Sequence, residues 1–215
     1  MFETIQNNGI EVMRDIIRER RSVRSFDARI PSDAVITEVI TAGIRAPYAS
    51  LPAAGTDDFR RFIVVKRNSE AFYTIADQID ISIRAFATSV DPDEKGDRYS
   101  QMIHQAAAAG FARIIGNCPC LIFVAERKGR PDNAAHSLGY CIQSMWLQAT
   151  SLRIGVRLFD IVSQIDMNRN EIFKRNLHLK NGDYFINCMG IGFPAEDFMP
   201  AMITVPDFEK SVLFL

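Results

Sequence analysis

The chain has 215 residues, 47% of them hydrophobic and 24% charged, values that suit a single globular core and exclude a disordered or membrane-embedded polypeptide. Twenty-five Lys and Arg stand against 26 Asp and Glu, a net charge of -1, so no overall positive field is available to gather nucleic acid. The four cysteines, Cys118, Cys120, Cys141 and Cys188, are too few for a disulfide framework, and Cys118-Pro119-Cys120 is not a CxxC redox pair; they read as core thiols. The opening residues are polar and interrupted, without the apolar run of a signal peptide, which gives the expectation of a cytoplasmic protein.

Residues 9–20 place Ile10, Met13, Ile16 and Ile17 on one face of a predicted helix. The next stretch, Arg20-Arg21-Ser22-Val23-Arg24-Ser25-Phe26, carries three guanidiniums and serine hydroxyls and no carboxylate. Such a loop is a donor set for a phosphate, each charge-assisted hydrogen bond contributing about 1.5–3 kcal/mol. The competing reading is a solvated basic loop paired with Glu11, Asp15 or Glu19. Ser32 or Asp33 then caps a helix with Ile36, Val39 and Ile40 on its apolar stripe, ended by Pro47. Residues 48–58, with Pro52, several small residues and Asp57-Asp58, form a loop.

Phe62-Ile63-Val64-Val65 reads as a buried strand, and Ser69 caps a helix bearing Phe72, Ile75, Ala76, Ile79 and Ile83. Residues 89–98 are polar and turn-rich, an exposed excursion. An Ala-rich helix over 99–115 leads into a second strand at 120–125. Residues 134–152 are apolar around so much of their circumference that they predict a central buried helix, with Trp146 in the core. An extended piece at 154–159, a helix over 165–177 and a third clear strand at 184–192 follow. Residues 193–215 keep three prolines and exposed-looking apolar side chains (Phe198, Met199, Met202, Ile203, Phe208, Val212, Leu213, Phe214), a tail expected to wrap a partner. The sum is one domain, 1–215, of the α+β class, with helices on a small, mostly antiparallel sheet.

Familiar catalytic signatures are missing. Gly190-Ile191-Gly192-Phe193-Pro194-Ala195 matches GxGxxA after a strand, but Pro194 and Pro200 forbid the helix that a dinucleotide fingerprint requires. No P-loop, GxSxG elbow or HExxH occurs. His104, His136 and His178 are isolated, so no metal site is expected.

The arginine stretch resembles the RxSxRxF opening of the FMN-dependent nitroreductase superfamily. Other blocks resemble it in the same order: Ala46-Pro47 followed at a distance by Arg61-Phe62-Ile63-Val64-Val65, Asn117-Cys118-Pro119-Cys120 before its strand, Gly139 to Gly155 with Gln143 and Leu147, and Gly190-Ile191-Gly192-Phe193-Pro194. The resemblance implies a homodimer with FMN at the subunit interface, its C-terminal tail wrapped around the partner. It also implies ping-pong hydride transfer from NAD(P)H through the flavin to a small electron-poor acceptor such as a nitroaromatic, quinone or enone. Arg20, Arg21, Ser22 and Arg24 would hold the FMN phosphate and ribityl chain, and Arg113 would sit beside flavin N1 and O2. Residues 158–161, Asp160 among them, would cover the flavin face, and Lys210 would stand in for a Lys/Arg pair that the family carries after its last strand and this chain lacks. No catalytic acid and no nucleic-acid or membrane partner is implied. The family's Asn, Gln and Pro-Trp are missing from 48–61. The alternatives are therefore a non-catalytic or degenerate flavin-binding dimer, a relative specialised for dehalogenation or flavin cleavage, and an anion or nucleotide binder without flavin.

Overall fold

The computed structural model describes residues 7–49, 51, 59–91, 97–165, 171–180, 182–201, 205 and 207–213. Its elements run α1 (Asn7–Glu19), α2 (Asp33–Ile44), β1 (Arg60–Lys66), α3 (Glu70–Ala87), α4 (Arg98–Ala109), α5 (Phe111–Ile115), β2 (Cys120–Arg127), α6 (Ala134–Ser151), β3 (Gly155–Leu158), α7 (Ile161–Gln164), α8 (Glu171–Asn176), β4 (Tyr184–Gly192) and α9 (Phe208–Ser211). The four strands form one antiparallel sheet in the order β1-β2-β4-β3, with Phe123 opposite Cys188 and Arg157 opposite Gly190.

β2 and β4 are central, and their sequences show it. β2 is apolar without interruption from Cys120 to Ala125 because both of its faces are covered. Leu121, Phe123 and Ala125 join a core with α3, α4, α5 and α8, while Cys120, Ile122 and Val124 join a second core with α2 and α6. Period-2 alternation thus divides one strand between two helical layers. Trp146 lies on the α6 side, as the sequence predicts.

Several elements differ from the sequence reading. The helix expected over 99–115 is two helices. Gly110 takes φ 79°, in the left-handed region, and the Phe111 N–H donates to the Asp80 carboxylate, which starts α5 on a new axis. Of the helix expected over 165–177, the described residues show α7 before it and α8 within it; 166–170, like Asp57 and Asp58, lie outside them. Ser32 caps α2 by accepting from the Val35 N–H at 3.4 Å, whereas the Ser69 hydroxyl turns back to donate to the Lys66 carbonyl. Phe198, expected to be exposed, is half-buried against its own chain's core, so the tail begins packed on this subunit. Met199 and Leu213 are exposed. In α1, Ile10, Met13 and Ile17 are also exposed and only Ile16 is half-buried.

One buried ion pair fixes the connection after α2. Arg60 donates to both oxygens of Glu126 at 2.6 and 3.0 Å, and to the carbonyls of Gly43, Ala46 and Pro47 at 2.8, 3.0 and 3.2 Å. Glu126 is fully buried and the Arg60 side chain is 3% exposed. Burial pushes the Glu126 carboxyl up, opposed by Arg60. The Ala49 N–H donates to Ser137 Oγ and the Tyr48 hydroxyl to the Arg127 carbonyl, which hold the chain beyond Pro47 against α6 and β2. Among the described residues no helix is long and apolar enough to cross a membrane, and no cluster of His, Cys, Asp and Glu is arranged to hold a metal ion.

Candidate functional site

The arginine stretch leaves α1 and runs beside β3, at the edge of the sheet. Ser22 bridges Val156 in parallel sense, and the Val23 N–H donates to the Val156 carbonyl at 2.8 Å. Val23 and Phe26 turn into the core and anchor the stretch. A β-carbon on Gly155 would meet Val23 at 2.8 Å, so glycine there permits the close approach. At the far end the Asp27 N–H donates to the Phe193 carbonyl, and Asn117 Oδ1 accepts from the Phe26 N–H. The buried valine and phenylalanine fix a backbone whose polar side chains are left to other work.

Arg20 lays its guanidinium over the Trp146 ring, 4.7 Å from the centroid. Trp146 is 9% exposed, and its Nε1 is a buried donor without an acceptor among the described residues. Ser22 is half-buried and Arg24 is exposed. Neither Arg20 nor Arg24 has a carboxylate partner among the described residues, so the pairings with Glu11, Asp15 or Glu19 that the competing reading allowed are not formed by these two. Arg21 behaves differently. Its Nη1 donates to the carbonyls of Arg18 and, at 2.9 Å, Arg20, closing the C-terminal end of α1. It also borders a cleft of about 260 Å³ with Arg153, Gly155, Pro194 and Phe198.

The remaining predicted residues are spread more widely. Asp160 follows β3 directly. Its carboxylate accepts from Asn187 Nδ2 at 3.2 Å, and its carbonyl accepts from the Ser163 hydroxyl. Arg113 is exposed on α5, which packs with α3 and α4 on the sheet face opposite α6, and no described contact joins it to the arginine stretch. Lys210 is exposed on α9, 3.8 Å from Asp207, likewise without a described contact to the stretch. The structure therefore brings the stretch carrying Arg20, Ser22 and Arg24 alongside β3, while no described contact joins Asp160 to it.

The nitroreductase family model matches residues 17–193, from the end of α1 to the end of β4. The chain belongs to the nitroreductase family. Among solved structures, a nitroreductase with bound FMN from Bacteroides fragilis is similar at 17% identity and TM-score 0.71, over 94% of this chain and 98% of that one. A BluB-like flavoprotein from Clostridium difficile is similar at 19% identity and TM-score 0.68, over 94% and 98%. An FMN- and NADPH-dependent nitroreductase from Sphigopyxis sp. strain HMH is similar at 15% identity and TM-score 0.63, again over 94% and 98%. No curated protein matches the chain significantly.

This nitroreductase-family chain offers an FMN phosphate a fitting donor set: two guanidiniums without carboxylate partners, a serine hydroxyl between them, and an orphaned indole N–H beside one of them. Sequence reasoning missed one member of the neighbourhood. Arg157 lies in β3, half-buried, its guanidinium 5.1 Å from the centroid of the Phe159 ring. Its only signal in the sequence was a cation inside the otherwise apolar run Gly155-Val156-Arg157-Leu158-Phe159.

Proposed function

We propose that this protein is an FMN-dependent oxidoreductase that passes hydride from NADH or NADPH to a small electron-poor acceptor such as a nitroaromatic, quinone or enone, and that it works as a homodimer. The observation that carries the reading is the arginine stretch held along β3 with Arg20 and Arg24 lacking carboxylate partners, within a chain whose family includes FMN-bound nitroreductases.

Bound FMN would supply a two-electron relay between a nicotinamide and an acceptor that occupy the same place in turn. The protein's residues bind and orient it. Arg20, Ser22 and Arg24 hold the phosphate and ribityl chain, with Arg20 kept in place by its stack on Trp146. The 158–161 segment covers the ring, and the Asp160 N–H has no partner among the described residues and is available to a ring nitrogen. Arg113 and Lys210 are assigned to the flavin's pyrimidine edge and phosphate by family resemblance alone. A guanidinium at the pyrimidine edge would stabilise the negative charge that reduction places there. No side chain is assigned as a general acid, because water can supply the proton. The exposed apolar face of α1, Ile10, Met13 and Ile17, supports a second subunit, because α1 packs on α6 and leaves those side chains uncovered.

The test is the visible spectrum of the freshly purified protein, acid release of any chromophore, and NAD(P)H oxidation with a quinone or nitroaromatic present. Near-stoichiometric FMN and turnover above free FMN support the reading. A colourless protein that cannot be loaded with FMN sinks it. A second reading, a flavin-binding dimer without turnover, is favoured by the altered 48–61 segment, where Arg60 is consumed by Glu126 and backbone carbonyls. It predicts full FMN content with no turnover above free FMN.

A further inference from the structure

We infer that Asn117 is a positioning residue for the arginine stretch: its side-chain amide takes the place of a missing strand along Phe26 and so fixes where Arg24 presents its guanidinium. The inference deepens the flavin reading above, and the family resemblance gives Asn117 no role in it. It begins with the backbone of Phe26. Phe26 bridges Pro194 in antiparallel sense, and the bonds of that bridge are made by its neighbours. The Asp27 N–H donates to the Phe193 carbonyl at 2.9 Å, and the Ser25 carbonyl accepts from the Ala195 N–H at 3.1 Å. Alternation along an extended chain then turns the N–H and carbonyl of Phe26 itself toward the opposite edge.

There the two groups meet a side chain instead of a strand. Asn117 Oδ1 accepts from the Phe26 N–H at 3.0 Å, and Asn117 Nδ2 donates to the Phe26 carbonyl. A carboxamide carries the acceptor and donor of a peptide group, so one residue closes both bonds. Its own backbone is held from both sides. The carbonyls of Gly116 and Cys118 accept from the Arg67 guanidinium, the second at 2.9 Å, and the Arg67 N–H donates to the Pro119 carbonyl at 3.0 Å. Arg67 in turn lies over the Phe72 ring of α3, 4.9 Å from the centroid.

Arg24 therefore stands between two anchors. One residue before it, the Val23 N–H is tied to the Val156 carbonyl; two residues after it, Phe26 is tied to Asn117. With both ends of so short a span fixed, the backbone of Arg24 is ordered before a ligand arrives. With the second anchor released, the ligand has to order it, at a cost in affinity. Asn117 is exposed, so its truncation removes two hydrogen bonds and leaves the packed core as it is.

The experiment reads the stretch without and with ligand. Hydrogen exchange at the Phe26 amide is followed by NMR on wild type, Asn117→Ala and Asn117→Ser, all full-length and free of flavin. The Kd values of FMN and riboflavin are then measured on the same proteins, on Arg24→Gln and on the double variant Asn117→Ala, Arg24→Gln. The expected result is roughly tenfold faster exchange and roughly tenfold weaker FMN binding in Asn117→Ala, with riboflavin unchanged. Asn117→Ser, whose shorter side chain cannot span both backbone groups, should fall between, and it carries the test if Asn117→Ala fails to fold. In the Arg24→Gln background the loss of Asn117 should weaken FMN no further, because Asn117 acts through Arg24. Equal loss of FMN and riboflavin marks a merely structural residue and overturns the inference. So do unchanged exchange at Phe26, unchanged FMN affinity, or a further loss in the double variant. Wild-type protein that takes neither flavin refutes the flavin reading instead, and the Kd of inorganic phosphate, by calorimetry, then replaces that of FMN. A roughly tenfold loss in Asn117→Ala upholds the positioning role there. Equal phosphate binding in both proteins, or none in wild type, overturns it.

Discussion

Arg60 and Arg20 are both held by specific contacts, and their surroundings could hardly differ more. Arg60 is enclosed, its fork shared between a buried carboxylate and the carbonyls that end α2. Arg20, with Arg24 and Arg157, lies at the edge of the sheet with an aromatic face or a like charge for company and no acceptor among the described residues. The first arrangement is complete without a ligand and the second is not. Partnering, more than the presence of an arginine, separates the groups that build this fold from those that serve its site.

The comparison can be broken most violently at Arg60. Arg60→Ala leaves Glu126 buried without its counter-charge and should lower stability by about 3–5 kcal/mol, measured by urea unfolding. A loss below about 1 kcal/mol would place Arg60 with the surface pairs instead. At the site end the effect should fall on binding. Arg20→Ala combined with Arg24→Ala should weaken FMN binding by about 1.5–3 kcal/mol per lost charged hydrogen bond while changing unfolding free energy by no more than about 0.5 kcal/mol. Undiminished FMN occupancy would remove the phosphate assignment.

Between these lies packing beneath β4. A β-carbon at Gly190 would come within 2.5 Å of Cys118 Sγ and 2.7 Å of the Phe159 ring, so Gly190→Ala should cost about 1–3 kcal/mol in the same unfolding assay. A neutral result would mean that Cys118 and Phe159 shift aside without strain, against the close packing beneath β4.

The smallest expected effect is on the thiols. Burial pushes Cys118 up to about 11 and Cys120 and Cys141 up to about 12, so all stay protonated in the folded protein at neutral pH. The unfolded chain releases these protons from roughly pH 8.5 upward, and it then binds fewer protons than the native state. The thiols' contribution to stability is therefore flat at neutral pH and falls as pH rises above about 9. Thiol alkylation at pH 8 should track global unfolding, and rapid labelling of the native protein would contradict their burial.

Much of the fold was legible because it is written in local pattern. The apolar runs of β1, β2 and β4 and the wide stripe of α6 announce burial without any knowledge of partners. The break at Gly110 was not legible, since the alanine-rich run before it and Phe111 to Ile115 after it continue the helical pattern and the contact of the Asp80 carboxylate with the Phe111 N–H spans 31 residues. The same holds for Arg60 and Glu126, 66 residues apart, with nothing in either neighbourhood to mark them as a pair. At the site, Arg20, Ser22 and Arg24 were readable from the density of donors in one stretch. The place of Arg157 beside that stretch was not, because it depends on the pairing of the stretch with β3. Arg113 and Lys210 came from resemblance to other chains, and the described contacts leave them apart from the arginines.

The most direct test of the central claim is the ratio of riboflavin to FMN dissociation constants, measured by fluorescence quenching on apoprotein of the wild type and of the Arg20→Ala, Arg24→Ala variant. If these guanidiniums exist to hold a phosphate, wild-type protein prefers FMN by about a hundredfold or more, and the preference collapses toward one in the variant while riboflavin affinity stays put. A preference that survives the loss of both arginines would contradict the account and place the phosphate elsewhere on the protein.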